Sequence, residues 1–362
     1  MSLLFQPVVL RELTVPNRAW LAPMCQYSAT GGMPGDWHLV HLGARATGGF
    51  GLVMTEATAV VPEGRISPQD TGIWNDDQAA AWRRITDFVH ARGARAGIQL
   101  AHAGRKASTY PPFHELDGSV PVADGGWVTA GPTTDPFPGL AVPAEMTPEQ
   151  VADVPGQFAD AARRALAAGF DVVEVHAAHG YLLHQFLSPL ANRRTDEYGG
   201  SDERRARLVR ESVRAVREVW PDGLPVMVRL SATDWRADGL GVEDVAAVAA
   251  HLKADGADVV DVSTGGVAPA EIPVGPGYQV AHARRVREVS GLPVSAVGLI
   301  TEPAQAEQVL VEGAADAVML GREALRDPHW PLRAARVLRE RVGRVAETGV
   351  GVQPQYERAP WR

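Results

Sequence analysis

The sequence predicts an α/β chain folded as one (β/α)8 barrel, and three observations carry that prediction. Eight short apolar runs, rich in β-branched residues, recur along the 362 residues. Their near-continuous apolarity suits parallel strands covered on both faces. Amphipathic stretches of helical period lie between them. Before several runs a glycine closes the preceding helix and an aspartate opens the strand, as in Ala168-Gly169-Phe170-Asp171, Asp255-Gly256-Ala257-Asp258 and Glu312-Gly313-Ala314-Ala315-Asp316.

Taken in order, strands are predicted near 19–24, 51–57, 95–101, 170–176, 224–230, 258–263, 293–297 and 315–320. Helices are predicted over 76–92, 149–168, 202–219, 243–255, 279–290, 303–312 and 328–341. Thr147, Pro148 and Gln150 supply an N-cap, a proline at the first helical position and the third-position partner of a capping box. Eight alternations of this kind indicate a barrel. A doubly wound sheet is the alternative, and no Gly-x-Gly-x-x-Gly opening supports it. Two segments break the alternation. Residues 103–146, rich in Gly, Pro, Thr and Asp, read as a lid or binding loop after the third strand. Residues 347–362 follow the last helix and carry Tyr356, Arg358 and Trp361, types common at interface hot spots. The division is thus a barrel over 1–346 and a C-terminal tail over 347–362, with a frayed end as the plainer reading of the tail.

Composition narrows the function. Apolar residues make up 45%, enough for a large core, and the net charge is −8 with no Lys/Arg run, which argues against a nucleic-acid partner. Only Lys106 and Lys253 are lysines, so arginine supplies nearly all positive charge. Cys25 is the only cysteine, so no intramolecular disulfide forms and a cysteine-based zinc site is not expected. The N-terminus lacks a basic segment followed by a long apolar one, and no apolar run would span a bilayer. A soluble cytoplasmic protein is expected, without a membrane partner.

In such barrels the chemistry sits at the C-terminal ends of the strands. Cys25, Gln26 and Tyr27 follow the first strand, Thr58 and Ala59 the second, and Gln99 and His102 the third. His176, His179 and Tyr181 follow the fourth, Arg229 ends the fifth, and Ser263 ends the sixth. Gly298 follows the seventh, and Gly321 with Arg322 the eighth. Loops after strands seven and eight commonly seat a phosphate, and Arg322 adds a fork of donors; ordinary turn glycines are the plainer reading. Gln99 offers a donor and an acceptor to a heterocycle edge. Arg229 needs a negative partner if buried, either Glu174 or Asp261 or an anionic cofactor. His176 and His179 face opposite sides of a continuous strand, so they converge only if the strand stops near His176 and the chain turns. The pair is then two hydrogen-bond donors aimed at one atom, half of a metal site completed by His102, Glu174 or Asp171, or two structural histidines. His184 reads as packing.

Five stretches together resemble the old yellow enzyme family of flavin-dependent ene-reductases: "APMCQYSA" (22–29), "TEATAVVPEGRIS" (55–67), "IQLAHAGRKA" (98–107), "VEVHAAHGYLLHQFLSPLANRRTDEYGGS" (173–201) and "VMLGREALRDPHW" (318–330). The match spans nearly the whole chain. Cys25 with Tyr27, and the tail "QYERAPW" (355–361), resemble the branch called thermophilic-like. The resemblance implies non-covalent FMN at the barrel mouth and NADPH, or NADH, as hydride donor. Ala22, Pro23, Met24, Cys25, Ala59, Gln99 and Arg229 would meet the isoalloxazine, and Gly298, Gly321 and Arg322 the phosphate. The substrate would be an activated alkene, an α,β-unsaturated carbonyl or nitro compound. His176 and His179 would hold its oxygen, hydride would pass from flavin N5 to the β carbon, and Tyr181 would supply the proton. Tyr27 would line the pocket. Cys25 would tune the flavin potential, a packing thiol being the plainer role. Arg358 would reach a neighbouring subunit's site, in a homodimer or homotetramer. Other possibilities are an FMN barrel acting on tRNA, a metal-dependent lyase and a non-catalytic flavin or phosphate binder.

Overall fold

A computed structural model describes residues 2–344 and 350–359 of the chain. Eight parallel strands close into a barrel: β1 (Ala19–Leu21), β2 (Leu52–Ala59), β3 (Arg95–Ala101), β4 (Val172–Ala177), β5 (Val226–Ser231), β6 (Val259–Ser263), β7 (Val294–Ala296) and β8 (Ala317–Leu320). Each strand pairs with its neighbour in sequence, and β8 returns to β1 with Leu320 opposite Leu21. The predicted barrel is therefore observed, with every strand overlapping its predicted span and β2, β4 and β5 running past its end. The first strand is shorter than expected, which leaves residues 22–24 as a loop at the mouth.

The period-two alternation of the strands divides the core in two. Val53, Ile98, Val173, Val175, Val228, Val260 and Val262 face outward under the helices. Trp20, Leu52, Met54, Val172, Met227, Val259 and Met319 fill the lower interior. A hairpin ahead of the barrel, Val8–Leu10 paired with Leu13–Val15, packs Leu10, Leu13 and Val15 onto that inner cluster. It plugs the N-terminal end. Burying a side chain of this size is worth about 1.5–3 kcal/mol.

The outer layer is α1 (Asp36–Thr47), α2 (Asp76–Ala91), α3 (Pro148–Ala167), α4 (Leu182–Leu187), α5 (Asp202–Val219), α6 (Val242–Ala254), α7 (Val280–Ser290), α8 (Pro303–Val311), α9 (Arg322–Arg326) and α10 (Trp330–Val337). The capping box forms: Thr147 Oγ1 accepts from Gln150 N, and Gln150 Oε1 accepts from Thr147 N. Helix α1 is absent from the sequence reading. It buries His38, His41 and Arg45 beside Leu42 and Ala46, so its inner face shows no apolar stripe. The last predicted helix, 328–341, is corrected to the shorter α10. No helix among the described residues is long and apolar enough to cross a membrane.

The long segment after β3 is ordered by its own contacts. It contains a short turn, Gly104–Lys106, and a two-residue ladder between Ala130–Gly131 and Ala144–Glu145. The tail is docked at its start. Val350 is buried, Gly343–Arg344 pairs with Gly351–Val352, and Gln353 Nε2 donates to Arg92 O. Trp361 lies outside the described residues.

Candidate active site

The two histidines converge, though the turn differs from the helical one expected. Strand β4 continues to Ala177, and the reversal is made by His179 and Gly180, both left-handed with φ of 59° and 72°. Gly180 is required there: a Cβ would stand 2.1 Å from the Gly266 carbonyl oxygen. The ring centroids of His176 and His179 lie 5.2 Å apart, and those of His176 and Tyr181 5.1 Å apart. Burial first, and the Arg229 charge next, hold both imidazoles well below the usual histidine range. They are neutral. Burial pushes the Tyr181 phenol well up, so it keeps its proton.

The turn is held from behind. His179 N donates to Ser231 Oγ at 2.9 Å, and His179 Nε2 lies 2.7 Å from Ser263 Oγ. His184, fully buried, does more than pack. Its Nδ1 accepts from Gly180 N at 2.9 Å, and its Nε2 lies 3.0 Å from Asp234 Oδ1. His176 Nδ1 is buried with no hydrogen-bond partner among the described residues.

Lys106 was missed by the sequence reading. Its Nζ donates to the carbonyl oxygens of His179 and Gly266, and lies 4.9 Å from the Tyr181 ring centroid and 4.8 Å from that of Phe137. Burial pushes this ammonium down to about 8. The same loop sends Phe113 edge-on against Tyr27, with ring centroids 5.9 Å apart. One signal was available: Lys106 is a lysine in a chain whose positive charge is almost all arginine.

Above the apolar plug lies a buried polar layer. Gln99 Nε2 donates to Glu174 Oε1 at 2.7 Å. Arg229 Nε lies 2.9 Å from Asp261 Oδ2, and Ser295 Oγ donates to Asp261 Oδ1 at 2.8 Å. Of the two carboxylates suggested for Arg229, Asp261 is the partner in contact. Burial and the Asp261 charge push Glu174 up to about 8. The residues suggested to complete a metal site are engaged elsewhere. Asp171 Oδ2 lies 2.6 Å from His90 Nε2, Glu174 takes Gln99, and His102 Nδ1 accepts from Gly104 N.

Gly298, Gly321 and Arg322 share one cleft of about 160 Å³ with Arg229, Ser263 and Met319. Gly321 has open space at its Cβ position save for Met24 Sδ at 3.7 Å, so the loop after β1 borders the same cleft. Ala22 N donates to Leu320 O, while Pro23 and Met24 are half-buried beside it. Ala59 is buried, and its N–H and C=O are both taken, by Thr71 and Ile73. A bulge in β2 between Met54 and Ala57 instead turns the Ala57 N–H toward Cys25. Arg358 is exposed and is not part of this cluster.

The family model described as the NADH:flavin oxidoreductase / NADH oxidase family matches residues 3–341. The chain belongs to that family. Among its relatives, an NADPH dehydrogenase of Geobacillus thermodenitrificans is 47% identical over 100% of this chain and 99% of its own. Among solved structures, morphinone reductase is 30% identical with a TM-score of 0.78, over 95% of this chain and 91% of that one. The old yellow enzyme homologue of Zymomonas mobilis is 27% identical with a TM-score of 0.77, over 97% of each chain. The resemblance read from the motifs is borne out. As a member of this family the chain is an enzyme whose cofactor is FMN. The residues present fit that cofactor. The Gly298–Gly321–Arg322 cleft offers backbone and guanidinium donors to a phosphate, and the Gln99 amide and Arg229 guanidinium stand ready for a heterocycle with amide-like edges.

Proposed function

We propose that this flavoenzyme is an NADPH dehydrogenase that reduces the activated C=C bond of α,β-unsaturated carbonyl or nitro compounds. The observation that supports it best is the convergence of two neutral imidazoles and a protonated phenol at the end of β4. Bound FMN supplies the two-electron chemistry, drawn from the nicotinamide donor. His176 and His179 donate hydrogen bonds to the substrate oxygen and so favour negative charge developing there. A donor placed at such a charge is worth ~10²–10³ in rate. Tyr181 gives its proton to the α carbon, a general-acid contribution of roughly 10²–10⁴. Tyr27 and Phe113 form the edge of the pocket. Gly298, Gly321 and Arg322 hold the phosphate, and Ala22 to Cys25, Gln99 and Arg229 the ring.

The tail belongs to the same reading. Val350 packs on Gly49 and Gln353 bonds to Arg92. Gly49 precedes β2 and Arg92 precedes β3, so the tail is anchored at the barrel end away from the site. We infer that Arg358 serves the site of a neighbouring subunit, in a homodimer or homotetramer.

The test is anaerobic. NADPH should bleach the visible flavin band, and cyclohexenone should restore it. A band that bleaches and does not return would leave the flavin chemistry standing and remove the alkene substrate.

A further inference from the structure

Next to the residues assigned to the ring lies a second cluster, whose two carboxyls the mechanism does not use. Cys25 Sγ, one carboxylate oxygen of Glu56 and one of Asp70 all lie within 4.8 Å of one another. Glu56 comes from the bulged part of β2, and Asp70 from the turn that follows Arg65. Both are at least 97% buried, with exposures of 3% and 1%. Their hydrogen bonds do not add up for two anions. Asp70 Oδ2 accepts from Ile66 N at 2.7 Å and Ser67 N at 3.2 Å. Glu56 Oε2 accepts from Gln26 N at 2.9 Å. The other oxygen of each, Asp70 Oδ1 and Glu56 Oε1, is buried with no hydrogen bond among the described residues, although His38 Nε2 comes within 3.1 Å of Glu56 Oε1.

Two buried carboxylates this close do not both stay ionised. One proton shared between them supplies the missing donor. We propose that Asp70 is the neutral acid of an Asp70–Glu56 pair that shares this proton, and that the pair acts as a positioning element keeping Cys25 a thiol against the flavin.

The surroundings favour Asp70 as the proton's place. Glu56 faces His38 of α1 and the Gln26 amide. Asp70 faces two backbone N–H groups, the half-buried Arg65 and the Glu56 charge; burial and that charge push it up to about 8, against Arg65 and the amides. From the loop after β1, Cys25 and Tyr27 face both carboxyls, and burial, followed by the one negative charge the pair keeps with its proton in place, pushes the thiol well up. Cys25 is then a neutral thiol at working pH. When the pair loses its proton on the alkaline side, a new negative charge appears beside the ring. A reduced, anionic flavin is thereby disfavoured, and its midpoint potential falls.

This rests on the reading that places Cys25 against FMN, so the test has one arm whose readout does not depend on where the flavin sits. The first arm is the infrared C=O stretch of protonated carboxyls in the holoprotein at neutral pH, as the difference between wild type and Asp70→Asn. Glu174 contributes a band of its own, and the difference removes it. The expected result is a protonated-carboxyl band lost in Asp70→Asn and kept in Cys25→Ala. No difference band overturns the proposal. The second arm is the FMN midpoint potential against pH, which should show a downward step near 8 in wild type and none in Asp70→Asn. A step that persists in Asp70→Asn also overturns it. A lost band with no step in wild type leaves the shared proton in place and overturns its link to the flavin. If Asp70→Asn does not fold, Glu56→Gln decides: the step should move to lower pH, and an unmoved step overturns the proposal.

Discussion

The Lys106 ammonium nitrogen stands 2.8 Å from the carbonyl oxygen of His179, and 3.0 Å from that of Gly266. One side chain thus ties the strained turn after β4 to the loop after β6. A hydrogen bond from a charged group is worth ~1.5–3 kcal/mol. Lys106→Met keeps the stem and loses the tie. It should retain FMN and raise KM for enones roughly tenfold or more, the lower end of that energy range. Steady-state kinetics on flavin-saturated protein check this, and an unchanged KM means the turn holds itself.

The neutral imidazoles of His176 and His179 each carry one N–H. A phenolate oxygen placed between them would be their natural ligand. His176→Ala with His179→Ala should abolish phenol binding, seen as loss of the long-wavelength absorbance that phenols induce, while FMN stays bound. Retained phenol affinity would rule out the clamp.

Tyr181→Phe removes the acidic proton and keeps the ring that covers Lys106. Stopped-flow traces should show NADPH reduction of the flavin little changed and reoxidation by enone slowed by about 10²–10⁴. A defect confined to the NADPH step would assign the phenol elsewhere.

Glu174 makes a stability prediction with a definite sign. Its carboxyl sits at about 8 in the folded barrel, against about 4.3 in an unfolded chain. The folded state therefore binds this proton more tightly. The stability it contributes is full below the unfolded value and is lost as pH rises through about 8. Glu174→Gln should flatten the fall of Tm across that window, measured by calorimetry at matched ionic strength. A slope equal to wild type would place the titration at another group.

Arg358 acts in trans on the present reading. Mixing Arg358→Ala subunits with Tyr181→Phe subunits should restore part of the activity once subunits exchange. Exchange proven by mass, with no activity regained, would return Arg358 to a surface role.

The strands were legible because parallel barrel strands are apolar on both faces, and the eight strand ends then named His176, Gln99, Arg229 and Arg322 by position. What escaped had no period. Helix α1 hides its inner face behind His38, His41 and Arg45, which bury polar atoms in place of an apolar stripe. Lys106 lies in a loop, and its partners come from β4 and β6 turns far along the chain. The Asp70–Glu56 pair joins a strand bulge to a turn 14 residues on, a closeness that only the folded chain creates. Spacing did suggest that His176 and His179 could meet. It did not suggest the means, a left-handed residue that is not glycine.

The hairpin of Val8–Leu10 and Leu13–Val15 makes the barrel a blind well with one door. Whatever reaches the polar layer around Gln99 and Arg229 comes down through the mouth, and leaves the same way. On the proposed function, a nicotinamide donor and an alkene both use the flavin seated on that floor, and must then take turns. Each is an obstacle to the other, so a queue at the mouth, with excess of either reactant slowing turnover, follows from a plug at the far end.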